Sequence, residues 1–144
     1  MDQLVEMGRA LHAESPVYRD EPFEPAVLRE WIWQRMNASL MVDDSAVFVH
    51  ESGGRITGVL VGIICASIFN RRKSAIEVTF CIPPEHRGGR TFHRLVTAYK
   101  AWAKRQGASK ASLGVSTGIH AEGTVRAYSR AGFRLDGYTA TTQL

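Results

Sequence analysis

The chain is expected to fold as a mixed α/β domain with one central sheet flanked by helices, in the order α-α-β-β-β-α-β-α-β. Three observations predict it. Helically spaced apolar residues open the chain and return between apolar extended segments. Three such extended segments follow one another between residues 46 and 82, separated by turn residues. A basic loop with two glycines, Arg87-Gly88-Gly89-Arg90, then leads from the third of them into a long amphipathic helix. A length of 144 residues suits one domain, 1–144, around one core.

Each element has its own signal. Leu4, Val5, Gly8, Leu11 and His12 fall at helical spacing, so residues 3–13 read as a helix that Glu14-Ser15-Pro16 ends. The loop Val17 to Glu24 leads to Pro25, a favoured first helical residue. Residues 25–38 read as a second helix with Leu28, Trp31, Ile32 and Met36 on one face. Ala46 to Glu51 reads as a strand, Ser52-Gly53-Gly54-Arg55 as a hairpin turn, and Ile56 to Ser67 as a long apolar strand. Asn70-Arg71-Arg72-Lys73 turns the chain back into Ala75 to Ile82. Residues 89–106 read as a third helix, with Phe92, Leu95, Val96, Tyr99, Trp102 and Ala103 as one buried stripe and Gly107 just past its end. Ala111 to Ser116 reads as a strand and Gly123 to Ala131 as a short helix ending at Gly132. Phe133 to Leu135 and Tyr138 to Thr142 read as the last strands.

Composition narrows the class. Apolar content of 44% and charged content of 22% are those of an ordinary globular protein. No apolar run approaches the roughly 20 residues that cross a bilayer. The start Met1-Asp2-Gln3-Leu4 lacks the basic and apolar stretches of a signal peptide, so a cytoplasmic location without membrane association is expected. Cys65 and Cys81 both fall in strands without C-x-x-C spacing and read as reduced thiols. His12, His50, His86, His93 and His120 are scattered and show no metal spacing, so no metal is expected. A net charge of +4 suits an anionic ligand or partner.

The segment after the third strand carries the chemistry. Pro83-Pro84 stops the strand, and the two glycines let backbone N–H groups approach a ligand. The first turn of the following helix has unpaired N–H groups at the positive end of the dipole. Arg87, Arg90 and Arg94 add full charges, so the unit is suited to a polyphosphate.

Two stretches resemble the GNAT N-acetyltransferase family. Ile82-Pro83-Pro84-Glu85-His86-Arg87-Gly88 is similar to the family's V-x-P-x-x-R-G lead into its acetyl-CoA loop. Ala127-Tyr128-Ser129-Arg130-Ala131-Gly132-Phe133 resembles its Y-x-[KR]-x-G-F ending. The resemblance covers roughly residues 46–140 and implies a GNAT-like central sheet. His12-Ala13-Glu14-Ser15-Pro16 with Tyr18 also resembles a subgroup common in bacteriophage and prophage genomes. One departure stands out. The family loop reads [QR]-x-x-G-x-[GA], whereas Arg90 and Phe92 hold its fourth and sixth positions here. Gly89 is expected to do the fourth position's work, Arg90 to bond phosphate, and Phe92 to point into the core as the first residue of the stripe.

The resemblance implies transfer of an acetyl group from acetyl-CoA to a primary amine on a small molecule or protein. It places acetyl-CoA at Arg87, Gly88, Gly89, Arg90, Thr91, Phe92 and His93, with the backbone N–H of Cys81 or Ile82 at the carbonyl oxygen. An attacking amine must first lose a proton, and Glu77, the one acid of its strand, is the expected base, with Glu14 in reserve. Strand alternation puts Glu77, Thr79 and Cys81 on one face. The departing thiolate benefits from a donor, and Tyr128 stands where the family places that phenol, whose ordinary pKa is about 10. His12, Glu14, Ser15 and Tyr18 are expected at the acceptor pocket. Two Trp on the second helix and an open sheet edge suggest a homodimer. Nucleic acid is not the expected partner. The competing reading is a non-catalytic module on the same fold that binds CoA, nucleic acid or protein, and the Arg90 and Phe92 departure favours it.

Overall fold

A computed structural model describes residues 1–41 and 44–142. Helices α1 (Asp2–Glu14) and α2 (Pro25–Met41) precede strands β1 (Ser45–Ser52), β2 (Arg55–Ala66) and β3 (Lys73–Cys81). A single 3-10 turn, Pro84–His86, leads to α3 (Arg90–Arg105), β4 (Lys110–Ser112) and α4 (Ala121–Arg130). The sheet runs β1-β2-β3-β4, antiparallel except for the parallel β3–β4 pair.

Central strand β2 is buried on both faces, and alternation along it sorts the core in two. Leu60 turns to α3, where it joins Leu95, Tyr99, Trp102 and Ala103. Val59 and Val61 turn the other way, to Leu4 and Met7 of α1 and Ile32 of α2. Helix α3 lies very close to β2. A Cβ on Gly62 would stand 2.7 Å from Cε2 of Tyr99, so glycine there admits the fully buried ring. The Tyr99 hydroxyl keeps a partner in that apolar layer by donating to the Ser112 carbonyl at 3.0 Å.

Strand β3 carries one extra residue. Val61 faces Thr79 and Gly62 faces Glu77, which leaves Val78 unmatched as a β-bulge. The bulge reverses the alternation. Glu77 shares the α3 side with Ala75, whereas Cys81 packs on the α1 side. The common face expected for Glu77, Thr79 and Cys81 is therefore not formed, because the count of two fails across an inserted residue.

The element order agrees with the sequence through α4. Strand β4 stops at Ser112 rather than Ser116, and residues 133–142 form neither expected strand. The two differences share a cause. After Ser112 the chain swings away from β3, so only a three-residue edge remains for a further strand to pair with. Phe133 instead closes the end of α4, its N–H on the Tyr128 carbonyl at 3.0 Å and its ring 6.2 Å from that of Tyr128. No helix among the described residues is long and apolar enough to cross a membrane.

Candidate active site

Pairing of β3 with β4 ends at Ile76 and Ser112, and the two chains then part. The gap opens into a cleft of about 650 Å³. Glu77 to Phe80 and Ile82 line one lip, Gly114 to Thr117 the other, and Phe92, His93, Thr124, Ala127 and Tyr128 close it from α3 and α4. Leu11 and Tyr18 reach it from α1 and the loop that follows.

Glu77 and Tyr128 meet at one residue of the far lip. Gly114 donates its N–H to Glu77 Oε2 at 2.9 Å and accepts the Tyr128 hydroxyl on its carbonyl at 3.0 Å. Burial pushes the Glu77 carboxyl up to about 7, and the Gly114 N–H offsets part of that rise. Burial first, and the charge of Glu77 second, hold the Tyr128 phenol above its ordinary range. The Tyr128 ring is fixed by aromatic neighbours, with Phe80 at 6.5 Å and Phe92 at 6.2 Å between centroids, both nearly parallel.

The glycine loop leads into α3 as expected, but its two arginines are placed differently. Gly88 sits at φ +74°, a conformation that favours glycine, and it lines the cleft with Gly89. Gly89 stands at the N-cap of α3 and has no side chain with which to bond the first-turn N–H groups, which suits that end to an anion. Arg90 is exposed beside them. Arg87 is not free. Its guanidinium makes a bidentate pair with Glu14, at 2.6 and 2.5 Å, and its Nε donates to the Ile82 carbonyl at 2.9 Å. That bond to Arg87 holds the Glu14 carboxyl below its usual range, so Glu14 is poorly suited to the reserve-base role.

The remaining sequence candidates divide. His93 and Phe92 line the cleft, and Phe92 stacks on Phe80 at 5.8 Å, so it builds the cleft wall instead of starting the core stripe. Thr91 is the buried residue of that turn. Its side chain points away from the cleft, with Oγ1 3.3 Å from Nδ1 of His50. The Cys81 side chain faces α1, its thiol pushed up to about 11 by burial, so only its main chain is left for the cleft. His12 packs against Phe23 at 5.3 Å, outside the cleft wall. Ser15 is buried and bonds the Thr117 carbonyl at 2.6 Å. Sequence reasoning missed Gly114, Thr117 and the cleft-facing position of His120. A glycine inside an apparent strand signals close backbone approach, and Gly114 carried that signal.

A parallel pair that splays beside a glycine-led helix N-terminus gives an α/β domain suited to holding a phosphorylated ligand in the gap. The chain belongs to the Acetyltransferase (GNAT) family, whose sequence model matches residues 6–133. Solved structures agree in fold. A GNAT family acetyltransferase from Staphylococcus aureus is similar at TM-score 0.69 and 17% identity, covering 99% of this chain and 88% of that one. A transcriptional regulator from Bacillus halodurans is similar at TM-score 0.75 and 16% identity, covering 100% and 95%. Glucosamine-6-phosphate N-acetyltransferase from Arabidopsis thaliana is similar at TM-score 0.69 and 14% identity, covering 96% and 92%. No curated protein sequence matches the chain significantly.

Proposed function

We propose that this acetyltransferase moves an acetyl group from acetyl-CoA to a primary amine, with Glu77 as base and Tyr128 as acid. The observation that carries the reading is the convergence of both side chains on Gly114 inside the cleft. Acetyl-CoA suits the residues present. The free N–H groups of the first α3 turn, the glycine conformation at Gly88 and the exposed Arg90 fit its phosphates. When bound, acetyl-CoA supplies an activated thioester.

A carboxyl that titrates at about 7 is half ionised near neutrality, which suits a general base. Glu77 Oε accepts the proton that the attacking amine must lose. Tyr128 holds its hydroxyl proton firmly, partly because of the charge on Glu77. Protonation of Glu77 removes that charge, so taking up the amine proton makes Tyr128 the better acid for the departing thiolate. Phe80 and Phe92 make their wall of the cleft apolar.

A screen of small amines, polyamines and lysine peptides for thiol release from acetyl-CoA tests the reading. Turnover of at least one class above the hydrolysis background is expected, together with a raised melting temperature in acetyl-CoA. Neither thiol release nor a thermal shift at millimolar acetyl-CoA would overturn it.

A further inference from the structure

Two neighbouring side chains at the end of α1 reach opposite lips of the cleft. Glu14 holds Arg87 by its two-bond fork, and Arg87 in turn holds the Ile82 carbonyl, where the β3 lip ends. Ser15 donates its hydroxyl to the Thr117 carbonyl on the β4 lip at 2.6 Å. Ser15 Oγ also accepts the N–H groups of Val17 and Tyr18, both at 3.2 Å, and so sets the turn that carries Tyr18. Pro16 closes against Gly118, where a Cβ would stand 2.8 Å from the proline Cγ. The sheet ladder between the lips has already ended at Ile76 and Ser112, so it does not fix their separation here.

We propose that Glu14 and Ser15 are positioning residues that form a clasp: alongside the Glu77–Gly114 bond they set the spacing of the two lips, and they hang Tyr18 over the cleft. The proposal rests on the acetyl-transfer reading for its catalytic consequence, and on geometry for the clasp itself. Both partners of the Glu14–Arg87 pair are about one-third exposed, at 30% and 31%, so the pair adds little to global stability. Its fork geometry instead fixes direction at the rim. It also explains why the loop arginine carries a carboxylate partner rather than an open guanidinium. Arg87 holds the loop in shape, and the N–H groups and Arg90 are left for the phosphates.

Three measurements on the full chain test this. Hydrogen exchange without ligand should rise about tenfold over residues 82–89 in Glu14→Gln, and similarly over 113–118 in Ser15→Ala. Exchange in the β1–β2 hairpin should stay unchanged, which shows that the variants remain folded. Calorimetry with CoA should show Glu14→Gln weaker by about tenfold, with Arg87→Lys alike and the double variant no worse than either single one. With an amine that turns over, Glu14→Gln should raise KM for acetyl-CoA and leave the acidic limb of kcat in place. Wild-type exchange on both lips would overturn the clasp. So would a kcat loss of hundredfold or more at unchanged KM with a displaced acidic limb, since that would make Glu14 the base. If the wild-type protein binds no CoA, the acetyl-transfer reading fails while the exchange measurement still decides the clasp.

Discussion

The same two parallel strand segments behave differently over the first and second halves of their run. From Ser74 to Ile76, β3 pairs residue by residue with Lys110 to Ser112, and Ala75 is fully buried under α3. From Glu77 onward the partner is gone, and the backbone of Gly114 is bonded by two side chains instead of a strand. Backbone N–H and C=O groups take partners either way. In the paired half that need is met by structure with no chemistry in it. In the splayed half it is met by the two groups able to move protons. The difference teaches that opening a parallel pair does more than make room. It also creates backbone positions that fix a carboxyl and a phenol relative to each other.

The largest expected effect would break the splayed half. Glu77→Gln and Tyr128→Phe should each cut turnover by about 100-fold to 10,000-fold, while CoA affinity stays near wild type. Wild-type kcat should rise with pH through about 7 as Glu77 ionises, and the Gln variant should lose that limb. Near wild-type turnover in both variants would end the acid–base assignment and leave positioning of the amine as the source of rate.

The same Glu77→Gln variant should sharpen the comparison through stability. The folded pKa of about 7 lies above the ordinary carboxyl value of 4.5, so the folded state keeps a proton that the unfolded chain releases. Stability tied to that proton is complete below about 4.5 and lost as pH rises through 7. Glutamine escapes the loss and can still accept from Gly114. Its advantage over wild type should approach about 3 kcal/mol at pH 8 and vanish near pH 4, as read by urea unfolding at the two pH values. An equal difference at both would show that Glu77 is not held protonated.

Packing should answer differently. Gly62→Ala sets a methyl carbon against the Tyr99 ring, and should cost about 1–3 kcal/mol in thermal or urea unfolding. The added methyl meets aromatic rings rather than a carboxyl, so most of this loss should be present at pH 4 as well as at pH 8. The smallest effect is expected at the loop. Arg90→Ala should weaken CoA by about 1–2 kcal/mol in calorimetry, since Arg90 is exposed and works beside backbone donors. No change in affinity would leave the N–H groups as the whole anion site.

Much of this was legible in the sequence where one local rule sufficed. The spacing of Leu95, Val96, Tyr99, Trp102 and Ala103 gave α3 and its buried stripe, and Gly107 lies just past its end at φ +75°. Glu77 and Tyr128 were legible through motif position, and the structure brings them together. What was not legible depended on partners far along the chain. Nothing near Val78 marks a bulge, because the bulge exists only against β2. Nothing near Arg87 says that Glu14, 73 residues earlier, takes its fork. The last strands failed for a similar reason, since alternation in residues 133–142 cannot form a ladder without a longer edge to meet.

The extra residue in β3 gives that strand two reading frames, one before Val78 and one after it. Within either frame a substitution changes one side chain. Deleting Val78 would merge the frames without turning either over, since Glu77 would still face Gly62 and Thr79 would still face Val61. Deleting Ile76 instead, with the pairing after it kept, would move Ser74 into the buried place of Ala75 and turn Ala75 to the other face. A scan of single deletions along β3 should therefore find Val78 the best tolerated position and Ile76 as intolerant as a core residue.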